Sequence, residues 1–234
     1  MDINVANGNV AQDISSVSTK KYKEVLTKRK IYKLTKRIID VIGAILGIVL
    51  LIPITIGIYV AKIILKDKGS IMYTHNRIGK DGKIFKMYKF RSMVEGADEI
   101  LFKYLEENEE AREEYKINKK LKDDPRITKI GKFIRKTSID EFPQFINVLK
   151  GDMSLVGPRP YLPREREDIG EYYPYIVAGK PGITGLWQVS GRNGVTFKQR
   201  LELDKQYYEK RSMKTDLKIL TKTVLKVCDK EGAI

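Results

Sequence analysis

Apolar positions are bunched along this chain. The longest run, Val41 to Ala61, reads VIGAILGIVLLIPITIGIYVA and carries no formal charge over 21 residues. That is about the ~20 residues a helix needs to cross a bilayer. Pro53, just past the middle, has no amide donor, and its ring meets the carbonyl of Val49, so a break or kink is expected there. The halves on either side, Val41 to Ile52 and Pro53 to Leu65, each reach about 18–20 Å at ~1.5 Å per residue. A helix folded back at Pro53 would therefore enter and leave by one membrane face. A single spanning helix is the competing geometry, since neighbouring groups tolerate proline inside membrane helices; a buried helix of a soluble protein is the third.

Downstream, the pattern changes period. Ile71 to Tyr73 and Ile84 to Phe90 read as short strands, and the Asp-Gly step within Gly79 to Lys83 is a hairpin signal. Glu95 to Glu114 is crowded with acids and reads as one solvated helix without chemistry. Lys129 to Lys150 is a second apolar-periodic stretch. Gly151 to Pro163 and Lys180 to Gly194 are read as glycine-rich loops, with a short aromatic segment, Tyr172 to Ala178, between them. Val195 to Arg211 is read as helical. The last helix is placed near Thr215-Asp216; Lys214, Lys218, Lys222, Lys226 and Lys230 form one row at a spacing of four. Leu217, Leu220, Val224, Leu225 and Val227 cover much of its other side. Such a helix suits an anionic bilayer surface or, equally, a core with a solvated lysine face. Residues Met1 to Thr19 are polar and read as a loose tail.

Charge sharpens the membrane reading. The chain of 234 residues holds 45 Lys+Arg against 30 Asp+Glu, a formal net charge of +15, which argues for an anionic partner. Lys20 to Arg37 carries nine bases and one acid, and Lys62 to Arg91 nine bases and two acids, so both flanks of the apolar run are basic. Basic flanks prefer the cytoplasmic side, which favours the re-entrant hairpin. The single Cys and single His exclude a disulfide framework, a Cys-rich zinc site and a multi-His metal centre.

The richest chemistry lies in RKTSIDEFPQFINVLKGDMSLVGPRP, Arg135 to Pro160. Pro143 suits the first turn of a helix, which puts Asp140 and Glu141 at its N-terminus, where free amides and the dipole favour ionised carboxylates. An ionised carboxylate serves as nucleophile or metal ligand. Adjacent helical residues diverge by ~100°, so the two are expected to divide these roles. A plain N-cap is the competing reading of Asp140. Arg135 upstream, Arg159 in Gly-Pro-Arg-Pro and Arg192 in Ser-Gly-Arg-Asn add guanidinium groups in rigid settings, suited to phosphate.

These residues resemble a known family. A basic flank, a Pro-broken apolar segment, YKFRSM, DPRITKIGKFIRKTSIDEFPQFINVLKGDMSLVGPRP, KPGITGLWQVSGRN and a closing DLKIL helix occur in that order in the bacterial sugar transferases. These are the monotopic polyprenyl-phosphate hexose-1-phosphate (phosphoglycosyl) transferases. The resemblance covers roughly Lys28 to Val227 and looks like the short form, without extra N-terminal membrane helices. It implies a helix broken at Pro53, at the cytoplasmic face of the bacterial inner membrane; where the family often has Ser before that proline, this chain has Ile52. It implies that Asp140 attacks the β-phosphate of a UDP-sugar and releases UMP, and that the held phosphosugar passes to undecaprenyl phosphate. Glu141 would hold Mg²⁺. Lys89, Arg135, Arg159, Arg192 and Asp216 would bind substrate, Asp216 having a second reading as an N-cap. Glucose, galactose and N-acetylated sugars all fit, with an unmodified hexose favoured by the resemblance, and capsule, exopolysaccharide or glycoconjugate synthesis is the setting. The expected fold is mostly helical α+β, monotopic, with a small β-hairpin and amphipathic surface helices. Its parts are a flexible basic tail (1–27), a re-entrant membrane hairpin (28–68) and a cytoplasmic catalytic domain (69–234).

Other readings explain less. A tethered nucleic-acid binder would use the positive charge but leaves the Asp-Glu pair and the apolar run without purpose, so no nucleic acid is expected. A glycosyltransferase built on Asp123-Asp124 rests on a step that more often starts a turn. A non-catalytic scaffold for polysaccharide enzymes would leave Asp140 without consequence.

Overall fold

The computed structural model describes residues 3–67, 69–191 and 194–228. Arg192 and Lys230 lie outside the described residues. The chain divides into two units, Met1–Ile39 and Asp40–Ile234. From Ile3 onward the first belongs to helix α1, Ile3–Ile64. The segment read as a loose tail is thus helical from Ile3. No proline precedes Pro53, so nothing in the backbone chemistry stops the helix earlier.

Pro53 does not end α1 but lies inside it. Its missing N–H removes one backbone bond, and nearby the Thr55 hydroxyl donates to the Leu51 carbonyl at 2.7 Å. Within the second unit one stripe of α1 is covered. Asp40 accepts from the Ser154 hydroxyl and from the Leu155 N–H, both at 2.9 Å. Gly43 and Gly47 pass close against Leu155 and Phe145. Leu51 and Ile58 are buried with Phe90, Ile130 and Ile134, and Lys62 pairs with Asp67 at 2.6 Å. The opposite stripe, including Ile42, Leu46, Val49, Ile52, Ile56 and Ile63, is exposed. By length and composition, Lys30–Ile64 is long and apolar enough to cross a membrane.

The hairpin forms as the Asp-Gly step predicts. Strands β1 (Met72–Ile78) and β2 (Ile84–Phe90) pair antiparallel, with Tyr73 opposite Lys89 and Arg77 opposite Phe85. Asp81 and Gly82 turn the chain at φ 58° and 76°, the left-handed geometry that Asp and Gly tolerate. The acidic stretch is two helices rather than one, α2 (Ala97–Glu107) and α3 (Glu109–Asn118). Asn108 divides them because its side chain accepts from the Ala111 N–H at 3.0 Å, as an N-cap.

The second apolar stretch also divides. Helix α4 (Lys129–Lys136) is capped by Thr128; Ser138 turns left-handed at φ 57°; Ile139–Glu141 forms a single 3₁₀ turn, and α5 (Gln144–Lys150) follows Pro143. Both regions read as glycine-rich loops hide a strand. β3 (Ser154–Val156) and β4 (Gly182–Thr184) pair in parallel. Helices α6 (Arg166–Ile169), α7 (Tyr173–Val177), α8 (Leu186–Ser190), α9 (Phe197–Lys210) and α10 (Met213–Cys228) complete the chain. α9 is opened by a capping box of Thr196 and Gln199. α10 buries Asp216 and Ile219 and exposes Leu217, Val224 and Leu225 beside Lys218 and Lys222. Its aliphatic side is therefore not the core face.

Candidate active site

Strand β2 and the 3₁₀ turn meet at one ammonium group. Lys89 Nζ lies 3.3 Å from Asp140 Oδ2 and 3.0 Å from Glu141 Oε1. The two carboxylates thus converge on a common cation instead of diverging, because a single tight turn between Ser138 and Pro143 replaces the regular helix that the sequence suggested. Asp140 is buried, whereas Glu141 is half-exposed.

Two buried polar side chains hold these elements in place, and sequence reasoning had not singled out either. Asn147 on α5 behaves as a surrogate strand residue. Its Oδ1 accepts from the Tyr88 N–H at 2.9 Å and its Nδ2 donates to the Lys86 carbonyl at 2.8 Å, which ties α5 to the strand carrying Lys89. Ser92 accepts from Arg135 Nε at 3.1 Å, and its carbonyl lies against Gly131, where a Cβ would overlap it. An amide amid the apolar residues of INVLK was the one available signal for Asn147.

Burial is the largest influence on Asp140 and raises its carboxyl above the ordinary 3.8. Lys89 pulls it down, Glu141 pushes it up, and Arg135 pulls it down. Desolvation thus opposes the charged form that the two nearby cations favour. Glu141 and Asp140 suit a divalent cation shared with a bound phosphate, since Mg²⁺ is held by one or two carboxylates plus substrate oxygens and water. Among the described residues no group of three or more His, Cys, Asp or Glu forms a self-sufficient metal cage.

A sequence-family profile described as bacterial sugar transferase matches residues 31–230. The chain belongs to the bacterial sugar transferase family. Among its relatives is an undecaprenyl-phosphate galactose phosphotransferase from Salmonella typhimurium (46% identical, covering 85% of this chain and 41% of the relative). Another is a UDP-galactose-lipid carrier transferase from Erwinia amylovora (47%, covering 85% and 41%). The exopolysaccharide production protein ExoY of Sinorhizobium fredii is 41% identical over 88% of this chain and 90% of its own length. The chain thus spans less than half of the first two relatives and most of the third.

Within this sugar transferase, the expected site residues are held by two sets of contacts. Lys89, Asp140 and Glu141 are in direct contact, with Arg135 near enough to act on Asp140. Arg159, only three residues beyond β3, joins another group: its N–H donates to Asp204 Oδ2 at 3.1 Å, and its guanidinium lies 5.4 Å from the Trp187 ring centre. Asp216 is buried and accepts from the Tyr207 hydroxyl at 2.7 Å. That hydroxyl also reaches the Val156 carbonyl at 3.3 Å, so Asp216 supports the strand leading to Arg159. Nor is Asp216 the N-cap of α10. Ser212 fills that position, its hydroxyl accepting from the Thr215 N–H at 3.2 Å.

Proposed function

We propose that this chain is a phosphoglycosyl transferase moving a hexose-1-phosphate from a UDP-sugar to undecaprenyl phosphate, in exopolysaccharide or capsule synthesis. The observation that carries the reading is the buried Asp140 beside a cation shared with Glu141. The printed functions of the Salmonella and Erwinia relatives support a lipid phosphate acceptor and a galactose-type donor.

The steps balance as two displacements at phosphorus. Asp140 Oδ attacks the β-phosphorus of the donor. The bond from that phosphorus to the bridging oxygen breaks, and UMP leaves with the electron pair. The sugar-1-phosphate is now an acyl phosphate ester of Asp140. An oxygen of the lipid phosphate then attacks the same phosphorus, the bond to Asp140 breaks, and the carboxylate is regenerated as the lipid diphosphate-sugar forms. Phosphoryl transfer depends on alignment and charge neutralisation. The tight turn fixes the direction of Asp140, while Lys89 and Arg135 offset the negative charge. Glu141 would hold Mg²⁺, which when bound supplies further neutralisation of the donor's diphosphate.

A soluble-looking catalytic unit that must meet a polyprenyl tail needs an apolar contact with the bilayer. The exposed stripe of α1 and the Lys-flanked Leu217 and Val224 of α10 supply one. Because α1 from Asp40 to Lys62 packs against the rest of the second unit, we read it as entering and leaving by the cytoplasmic face, bent about Pro53. Basic residues near anionic headgroups add about 1 kcal/mol each.

The test is UMP release from UDP-galactose and mass spectrometry of the trapped enzyme. Asp140→Asn should abolish release, and the intact chain should carry a phosphohexose on the peptide containing Asp140. An unmodified peptide in active enzyme, or full turnover by Asp140→Asn, refutes the nucleophile.

A further inference from the structure

A second group of basic side chains gathers around Arg159. Arg77 comes from β1, Lys120 from the segment after α3, Arg159 from the Gly-Pro-Arg-Pro loop and Arg200 from α9. Arg159 is their hub, close enough to disfavour the charged forms of Arg77, Lys120 and Arg200, in each of which burial is the larger cause. The guanidinium carbons of Arg159 and Arg200 lie 5.4 and 5.6 Å from the centre of the same Trp187 ring.

The nearby acids offset this charge only in part. Glu165 favours the charged forms of Arg77 and Arg200 but makes no ion pair with them, its carboxylate being held by the Leu162 N–H at 2.7 Å. Asp204 Oδ2 accepts from the Arg159 N–H and from the Tyr161 hydroxyl at 2.9 Å. Burial also pushes the Asp204 carboxyl up to about 7, so at neutral pH its charge is incomplete. Among the described residues, Arg77, Arg159 and Arg200 form no ion pair. Arg77 Nη1 holds the Pro160 carbonyl at 3.1 Å and Arg200 Nη2 the Asn118 carbonyl at 2.6 Å. The Nε groups of both, and Trp187 Nε1, are buried donors without a partner among the described residues. Buried cations without an ion pair and buried donors without acceptors are both costly. Four elements converge to maintain them here.

We propose that Arg77, Lys120, Arg159, Arg200 and Trp187 form an oxyanion pocket for a phosphate group. Guanidinium forks and an indole N–H match phosphate oxygens in geometry and charge. By the hairpin register, Arg77 lies four residues along β1 from Tyr73, the partner of Lys89. The two sites therefore sit on one face of the hairpin, with backbones ~13 Å apart at ~3.3 Å per residue. Arg159 is the one member also expected to bind substrate. The pocket does not depend on Asp140 being a nucleophile.

Trp187 is the chain's single tryptophan, so its emission reports this pocket directly. The full chain in detergent is titrated with inorganic phosphate, with UMP, and with phosphatidylcholine vesicles containing or lacking phosphatidylglycerol, at constant ionic strength. A saturable change in Trp187 emission is expected with phosphate or UMP but not with chloride, and equally in Asp140→Asn, which separates this result from the fate of the transferase reading. Tighter binding of UMP than of phosphate makes the group nucleotide-borne; saturation only with phosphatidylglycerol makes it a lipid headgroup. Arg200→Gln should weaken binding roughly tenfold or more. Lys120→Gln, a half-buried change that spares the Asn118 contact, should weaken it in the same direction. No saturable response to any probe, or unchanged affinity in the folded variants, overturns the pocket.

Discussion

Asp204→Asn isolates the energetics of the buried basic group. Asp204 is fully buried on α9, and burial is the main reason its carboxyl titrates at about 7 rather than 3.8. The Arg159 N–H, the Tyr161 hydroxyl and the guanidinium groups of Arg159 and Arg200 pull the other way without prevailing. Between pH 4 and 7 the folded chain therefore keeps a proton that the unfolded chain has released. Stability from this group is full below the unfolded pKa and is lost as pH rises toward about 7. The shift is roughly three units at about 1.36 kcal/mol each, or ~4 kcal/mol across the window. At about 2–4 °C per kcal/mol for a chain of this size, that is ~8–16 °C in melting temperature.

Asparagine keeps an acceptor oxygen for Arg159 and Tyr161 but has no proton to lose. The variant should melt close to wild type near pH 4 and above it at pH 8. His75 titrates in the same window with the opposite sign, burial having lowered it to about 4. Its contribution raises stability with pH, and because both proteins contain it, it cancels in their difference. The assay is thermal unfolding in detergent from pH 4 to 8 in phosphate-free buffers at fixed ionic strength. Parallel profiles for the two proteins would show that Asp204 is ionised throughout, and the argument for incomplete neutralisation of Arg159 and Arg200 would fail with it.

Three further outcomes are expected. Lys89→Met removes a charge that lowers the Asp140 pKa, so the acidic limb of UMP release against pH should move upward as turnover falls; an unmoved limb would mean that Asp140 does not feel Lys89. Asp40→Ala strands the Ser154 hydroxyl and the Leu155 N–H and should cost about 2–4 kcal/mol in thermal unfolding, with Asp40→Asn milder. Gly131→Ala drives a Cβ into the Ser92 carbonyl; it should cost ~1–3 kcal/mol and slow turnover by displacing the hydroxyl that orients Arg135, whereas a fully active, fully stable variant would count against that chain of contacts.

Local signals carried the hairpin and the Asp-Glu pair into view, because each depends on residues adjacent in sequence. Asp81-Gly82 turns β1 onto β2 by its own backbone preference. Pro143 marks where α5 begins. What was not legible depends on distant approach. β3 and β4 each have three residues in glycine- and proline-rich surroundings, and they pair because Gly157 and Gly182 let their backbones come together where any Cβ would overlap the other strand. Arg159 and Asp140 share one continuous motif, but the contacts of Arg159 beyond β3, with Asp204 and Trp187, join residues distant in sequence. Arg77 and Arg200 had no local signature, since a lone Arg on a strand or helix reads as a surface charge until tertiary packing buries it.

The alternation of β2 explains how the apolar helix and the chemistry come to be neighbours. Successive strand residues point to opposite faces. Lys89 faces the carboxylates of the 3₁₀ turn, while Phe90, the next residue, is buried among Leu51 and Ile58 of α1 and Ile130 and Ile134 of α4. Ile139 and Phe142, on either side of Asp140-Glu141, pack against the same cluster. One hydrophobic core therefore fixes the apolar helix, the strand bearing the lysine and the turn bearing the acids. Repositioning α1 must move both partners of the Lys89–Asp140 contact, so a lipid-facing helix and a phosphate-facing carboxyl are held in register by the same few aliphatic side chains.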